Sequence, residues 1–378
     1  MANGESEVGA DVPAGGFVQL LTPDGERVDS VTTPDGVTYS VDFTDDEYRE
    51  LYRDLVTVRR LDTEATALQR QGELGIWASL LGQEAAQVGS GRALRPQDMA
   101  FPTYREHGVL YCRGIDPIMP FGLFRGVDQG GWDPNEYKFN TYTIVIGSQT
   151  LHATGYAMGI TMDGKTGGPD GEAVIAYFGD GATSQGEVNE GFVWSGVFHA
   201  PIVFFCQNNQ WAISEPTSRQ SKVTIAERGK GHGIPSIRVD GNDVIASYAV
   251  ANWAMQYARS GGGPVFVEAF TYRMGAHTTS DDPSKYRSKA DEAYWAERDP
   301  ISRLATYLES IGELPAEFVA EVEAEGKELA RRTREEVRSW EPGPSVGFFD
   351  HAYAAPHATV EAERAWYERF EGSFVEAH

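Results

Sequence analysis

Two apolar runs of strand length, residues 173–178 (AVIAYF) and 202–206 (IVFFC), flank a segment with helix-compatible spacing. Turn-forming residues close each run, Gly179-Asp180-Gly181 after the first and Asn208-Asn209 after the second. Between them, Ser184 to Phe198 predicts a helix, with Val188, Phe192, Trp194 and Val197 available to bury against a sheet. A strand–helix–strand unit of this length favours parallel strands joined by a right-handed crossover. Both strands then end at one edge, so Asp180 and Asn209 converge where open parallel sheets bind ligands.

The pattern continues on both sides. Thr44 and Glu47 form a capping box for a helix running to about Gln71, with Tyr48, Leu51, Leu55, Val58 and Leu61 along one side. "GQEAAQVGSGRAL" begins the next helix, and "IVIGSQTLHATGYAMG" predicts a strand, a turn and a small-residue helix. A strand at Val265–Phe270 precedes a polar loop, and residues 316–339 predict a charged helix with a solvated face, broken by "WEPGP". The fold class is therefore α/β, a mostly parallel sheet with helices on both faces. Residues 1–42 read as an extended arm, with the β-prone pieces FVQLL and VTYSV around "TPDG" turns, lying on a partner or on the body. Residues 43–345 form one large domain and 346–378 a tail that wraps a partner; no internal repeat is present.

The residue types at the shared edge suit a small hard cation. Mg²⁺ takes oxygen ligands and is usually completed by phosphate oxygens and water. Asp180 offers a charged oxygen, Asn209 a neutral one, and the backbone carbonyl of Trp211 a third. Gly179 and Gly181 would let a diphosphate approach the backbone, and the following helix N-terminus adds N–H donors.

Gly-Asp-Gly, a helix, a strand and Asn-Asn are the signature of thiamine-diphosphate enzymes. The wider text "YFGDGATSQGEVNEG…APIVFFCQNNQWAIS" resembles the alpha subunit of the decarboxylating component of 2-oxo acid dehydrogenase complexes, from about Phe43 to "GFFDHAYAAP". The resemblance implies a thiamine-diphosphate-binding fold in which Asp180, Asn209 and the Trp211 carbonyl bind Mg²⁺. The family usually carries Tyr or Phe at that last position, a change that a backbone contact survives. Tyr104 and Arg105 match the pair that grips the diphosphate, and a guanidinium fork suits phosphate oxygens. Gly147, Gln149, Gly181 and Ala182 match further cofactor-contacting positions. His277 matches the histidine at the start of a mobile active-site loop, which implies cofactor contact and a part in acyl transfer to lipoyl groups. Protonation of His277 near neutral pH would suit either role. Arg273, Asp281, Tyr286 and Arg287 look like the residues that order this loop; Thr278 and Ser288 lie near the phosphoserine positions of animal relatives.

The resemblance also implies partners. In two-chain members the glutamate that activates the cofactor's aminopyrimidine comes from a separate beta subunit. This chain has one Gly-Asp-Gly to Asn-Asn unit and no visible second thiamine-binding domain, so it is expected to be inactive alone. Two alpha and two beta subunits, and the lipoyl domain of an acyltransferase component, complete the expected assembly. "TTSDDPSKYRS" and "RVDGND" resemble branched-chain enzymes, whereas "IGSQ" and "DGATSQG" resemble bacterial pyruvate enzymes. Relatives carry a Gly-, His- and basic-rich loop before "IGSQ"; residues 123–143 (LFRGVDQGGWDPNEYKFNTYT) lack histidine and carry more aromatics, which leaves the substrate side open. Acetoin dehydrogenase alpha subunits and a non-catalytic assembly subunit of the same fold stand as alternatives. A dinucleotide-binding enzyme is disfavoured because no GxGxxG opens a strand–helix unit.

Composition narrows the partners. The chain carries 56 acidic and 32 basic residues, a formal charge of −24, which disfavours nucleic acid and anionic membranes. Dense carboxylates with little Lys resemble adaptation to concentrated salt. Cys112 and Cys206 suggest neither a disulfide framework nor a zinc site, and Cys206 reads as core packing. No basic, apolar signal pattern and no membrane-length apolar run occur, so a cytoplasmic location is expected.

Overall fold

The computed structural model describes residues 16–375 apart from residues 129, 169, 342 and 344. The first fifteen residues of the expected arm and the last three of the tail therefore lie outside the described residues.

Nine strands are present among the described residues: β1 (Ser30–Thr32), β2 (Thr38–Ser40), β3 (Met99–Phe101), β4 (Val174–Gly179), β5 (Ile202–Asn208), β6 (Trp211–Ala212), β7 (Glu215–Pro216), β8 (Ser236–Asp240) and β9 (Val265–Phe270). Five of them form one sheet in the order β3-β4-β5-β9-β8, and every neighbouring pair is parallel. The expected β4–helix–β5 unit is there, with Val174 opposite Ile202 and Gly179 opposite Gln207.

Strand alternation divides the core. Ile175, Tyr177, Val203, Phe205, Val265 and Val267 point to one face and join a cluster with α1 (Asp45–Arg70), α2 (Glu84–Arg92) and the helix Val244–Tyr257. Ala176, Phe178, Phe204, Cys206 and Phe266 point to the other, against the helices Ser148–Met162 and Gly186–Phe198. A sheet covered on both faces requires continuously apolar strands, which is why β4 and β5 lack polar alternation.

The ends of α1 are set locally. Thr44 accepts from Glu47 N–H while the Glu47 carboxylate accepts from Thr44 N–H at 2.8 Å. The charged helix Ala316–Ser339 departs from a merely solvated element. Its buried face carries Val322, Ala330 and Val337, of which Val322 and Val337 join the core that contains α1, and Arg53–Glu321 and Arg334–Glu64 bridge the two helices.

Three other expectations change. "IVIG" forms no strand: Ile144, Val145 and Ile146 are exposed in a loop that turns into the helix Ser148–Met162. The helix after β4 begins at Gly186, behind a 3-10 turn at Asp180–Ser184. Val188 and Phe192 are buried as expected, but Trp194 and Val197 face outward, at 46% and 71% exposure. A helix apolar all round has more faces than one sheet can cover.

The described part of the arm lies on the body. Val18 bridges Val239 in parallel, extending the β8 edge, and both Leu20 and Leu21 donate N–H groups to the Asp243 carboxylate. Val18, Leu20 and Leu21 are fully buried.

Candidate active site

Because the sheet is parallel, β3, β4, β5 and β9 all end at one edge, and the chain delivers a polar segment from each. Tyr104 and Arg105 follow β3, Asp180 follows β4, Asn209 follows β5, and the loop Thr271–His277 follows β9. Gly147, at φ +89°, opens the helix that carries Gln149 to the same edge. All ten residues expected at the site, Tyr104, Arg105, Gly147, Gln149, Asp180, Gly181, Ala182, Asn209, Trp211 and His277, line one cavity of about 540 Å³.

Asp180 is 1% exposed, and its Oδ2 accepts from Thr217 Oγ1 and Gln220 Nε2, both at 3.1 Å. Burial pushes its carboxyl up to about 6, and these two donors only partly offset that. The Asn209 amide donates to Gln83 at 2.8 Å and accepts from Trp211 N–H at 3.2 Å. The Trp211 carbonyl faces Arg273, whose Nη1 donates to it at 3.2 Å. Gln210 and Ile213 both adopt positive φ, +71° and +56°, on either side of Trp211. Such strain in a β-branched residue clusters at functional sites.

The two glycines flanking Asp180 differ. A Cβ on Gly179 would meet nothing within 4 Å, although Gly179 lines the cavity. A Cβ on Gly181 would sit 2.6 Å from the Ala212 methyl, so this glycine serves the close approach of β6. Gln149 Nε2 donates to the Tyr177 carbonyl at 2.8 Å, while its buried Oε1 has no partner among the described residues. An open cradle at Gly179, an anionic oxygen at Asp180 and unsatisfied polar atoms in the wall fit a cation–diphosphate group.

His277 corrects the sequence reading. Its Nδ1 lies 3.3 Å from Arg105 Nη2 and 3.4 Å from Arg273 Nη1, and guanidinium groups only donate. Nδ1 is therefore the acceptor and the ring proton sits on Nε2. Burial, then Arg105 and Arg273, lowers its pKa to about 4, so His277 is neutral at pH 7 and titrates well below it. The loop is tied as expected: His277 N–H donates to Asp281, Tyr286 O–H also donates to Asp281, and Arg273 donates to Tyr286 at 2.8 Å. Arg287 Nη1 donates to the Gly275 carbonyl and Nη2 to that of Met274, both at 2.9 Å. Ser288 caps the helix Lys289–Ala296 through Asp291 N–H.

The sequence reading missed the apolar wall of the cavity, formed by Ile76, Phe124, Ile144 and Ile146. It also missed two buried amides that line the same cavity, Gln83 and Gln207. Gln207 directly precedes Asn208-Asn209, the one signal that pointed to it.

A model of the dehydrogenase E1 component family matches residues 52–343. The chain is 44% identical over 323 residues to 3-methyl-2-oxobutanoate dehydrogenase subunit alpha of Mycobacterium tuberculosis, covering 85% of this chain and 84% of that protein. It is 41% identical to pyruvate dehydrogenase E1 component subunit alpha of Acholeplasma laidlawii, covering 81% and 88%. The corresponding subunit of Bacillus subtilis is 38% identical, covering 82% and 81%. Matched by the family model through β3, β4, β5, β9 and the segments that follow them, the chain belongs to the dehydrogenase E1 component family.

Proposed function

We propose that this chain is the alpha subunit of the decarboxylating component of a 2-oxo acid dehydrogenase complex, active with a beta subunit and passing its acyl group to the lipoyl domain of an acyltransferase component. The observation that carries the reading is the convergence of Asp180, Asn209, Arg105 and His277 on one cavity from four parallel strand ends. Thiamine diphosphate, when bound, supplies the carbon nucleophile and electron sink that decarboxylation of a 2-oxo acid requires. Asp180, Asn209 and the Trp211 carbonyl would hold Mg²⁺, and Tyr104 and Arg105 would hold the diphosphate. Gly147, Gln149, Gly181 and Ala182 line the remaining cofactor surface. Neutral His277, with its proton on Nε2, can donate a hydrogen bond to an oxygen in the cavity.

The apolar wall Ile76, Phe124, Ile144 and Ile146 favours a 2-oxo acid with a larger hydrocarbon side chain than the methyl of pyruvate. One or two methylenes give ~1–3 kcal/mol of discrimination, so the preference should be marked but incomplete. Residues 43–345 would form the cofactor domain of a two-alpha, two-beta assembly in the cytoplasm. No helix among the described residues is long and apolar enough to cross a membrane. The excess of carboxylates supports adaptation to concentrated salt.

The test is co-expression with a beta subunit at high salt, then assay of 3-methyl-2-oxobutanoate, pyruvate and acetoin. The expected order of kcat/KM is 3-methyl-2-oxobutanoate, pyruvate, then acetoin without turnover; pyruvate as best substrate would refute the pocket argument. In the same assembly Asp180→Ala should lose thiamine diphosphate while still binding the beta subunit. Full activity with co-purified cofactor in that variant would remove the site assignment.

A further inference from the structure

Along the wall of the cavity runs a chain of buried amides that ends on a carboxylate. Asn209 Nδ2 donates to Gln83 Oε1 at 2.8 Å, Gln83 Nε2 to Gln207 Oε1 at 2.8 Å, and Gln207 Nε2 to Glu106 Oε1 at 2.7 Å. These four residues are between 1% and 6% exposed. An amide presents NH₂ at one end and oxygen at the other, so its orientation must come from partners of unambiguous polarity.

Two such anchors exist at the far end of the chain. The Gly108 N–H, which only donates, meets Gln87 Oε1 at 2.9 Å, and the Arg105 carbonyl, which only accepts, meets Gln87 Nε2 at 3.0 Å. The Gln87 NH₂ group thereby faces Gln207 at 3.1 Å and requires an oxygen there. The Glu106 carboxylate, which already accepts from the Thr103 hydroxyl at 2.6 Å, takes the Gln207 NH₂ at the other end. With Gln207 oriented, Gln83 must turn its NH₂ to Gln207 and its oxygen to Asn209. Asn209 must then present NH₂ to Gln83, which leaves its Oδ1, bonded once by Trp211 N–H, with a lone pair uncommitted.

We propose that Gln83 is a positioning residue for the cation site, transmitting the polarity set by Gln87 and Glu106 so that Asn209 offers oxygen rather than NH₂ to a divalent cation. The inference rests on the reading of Asp180 and Asn209 as cation ligands. Outer partners of this kind change metal affinity by roughly 10–100-fold when removed. Without Gln83 the Asn209 amide keeps only the 3.2 Å bond from Trp211 N–H to hold its oxygen in place, and rotation out of that bond turns toward the site an NH₂ end that repels a cation.

The experiment is Mn²⁺ titration followed by electron paramagnetic resonance, with thiamine diphosphate present, on the assembly with the beta subunit. Wild type, Gln83→Leu, Asn209→Asp and the double variant are compared. Gln83→Leu is expected to weaken Mn²⁺ binding about tenfold or more. In the Asn209→Asp background both side-chain ends are oxygen, so adding Gln83→Leu should cost nothing or improve binding. A merely structural role for Gln83 would produce the same loss in both backgrounds. That equal loss, or wild-type affinity in Gln83→Leu, would overturn the proposal while the cation site stands. Failure of the wild type to bind Mn²⁺ would instead overturn the ligand assignment and this inference with it. Should Gln83→Leu fail to assemble, Gln83→Met fills the same space with a flexible chain and is subject to the same comparison.

Discussion

Asp180 is a carboxylate held 1% exposed without a cationic side chain bonded to it, and burial moves its pKa to about 6. Its unfolded value is lower, so the cofactor-free folded chain binds a proton that the unfolded chain lacks between those two values. Stability from this group is therefore present at acid pH and is lost as pH rises through about 6. Each pKa unit corresponds to about 1.4 kcal/mol, so ionised Asp180 costs the cofactor-free fold on the order of 3 kcal/mol at neutral pH. Asp180→Asn keeps an acceptor for Thr217 and Gln220 while removing the charge. It should raise the melting temperature of the cofactor-free assembly at pH 8 and leave it nearly unchanged at pH 4. Thermal unfolding at both pH values checks this; a lower melting temperature for the variant at pH 8 would contradict the burial argument. With cation and cofactor added, the order should invert, because only the wild type gains from binding.

The element that delivers Asp180 is the turn after β4, where the two glycines separate steric from ligand requirements. Gly179 has extended dihedrals, and open space surrounds the position of a Cβ, so Gly179→Ala should leave stability within about 1 kcal/mol of wild type. The same methyl would intrude on the cavity and weaken thiamine diphosphate binding. Gly181→Ala should destabilise the fold itself, since its methyl would overlap that of Ala212. Calorimetric titration alongside thermal unfolding separates the two; equal behaviour of both variants would refute the distinction. This turn also marks how far the sequence could be read. Continuous apolar runs bounded by Gly and Asn specified β4, β5 and their parallel pairing, and through them the meeting of Asp180 with Asn209. The run Ile144–Ile146 has the same apolarity yet lies exposed at the cavity rim, because apolarity states only that a residue favours burial, not against which surface. Trp194 and Val197 carry the same ambiguity on a helix. Gln83 and Gln207 were illegible for the opposite reason, since buried amides follow no periodicity and acquire meaning only through three-dimensional partners.

At the scale of the molecule, charge sets a competition that ionic strength can resolve. Even if every one of the 32 basic residues met a carboxylate, 24 of the 56 acidic residues would be left over. Contact pairs such as Arg331–Glu328 and Arg332–Asp116 act at 2.5 and 2.6 Å, and exposed pairs of this kind are worth about 0–1 kcal/mol each. The repulsion among unpaired carboxylates acts over longer distances. The Debye length shrinks from about 10 Å at 0.1 M to about 3 Å at 1 M, so added salt removes repulsion before it removes contact pairs. The melting temperature of the assembly should therefore rise from 0.1 M to 1 M KCl and flatten above that. Exclusion of salt from apolar surface would instead give a rise that continues to the highest concentrations. A melting temperature that is flat or falls over the first molar of KCl would show that the ion pairs dominate, and that the carboxylate excess is not an adaptation to salt.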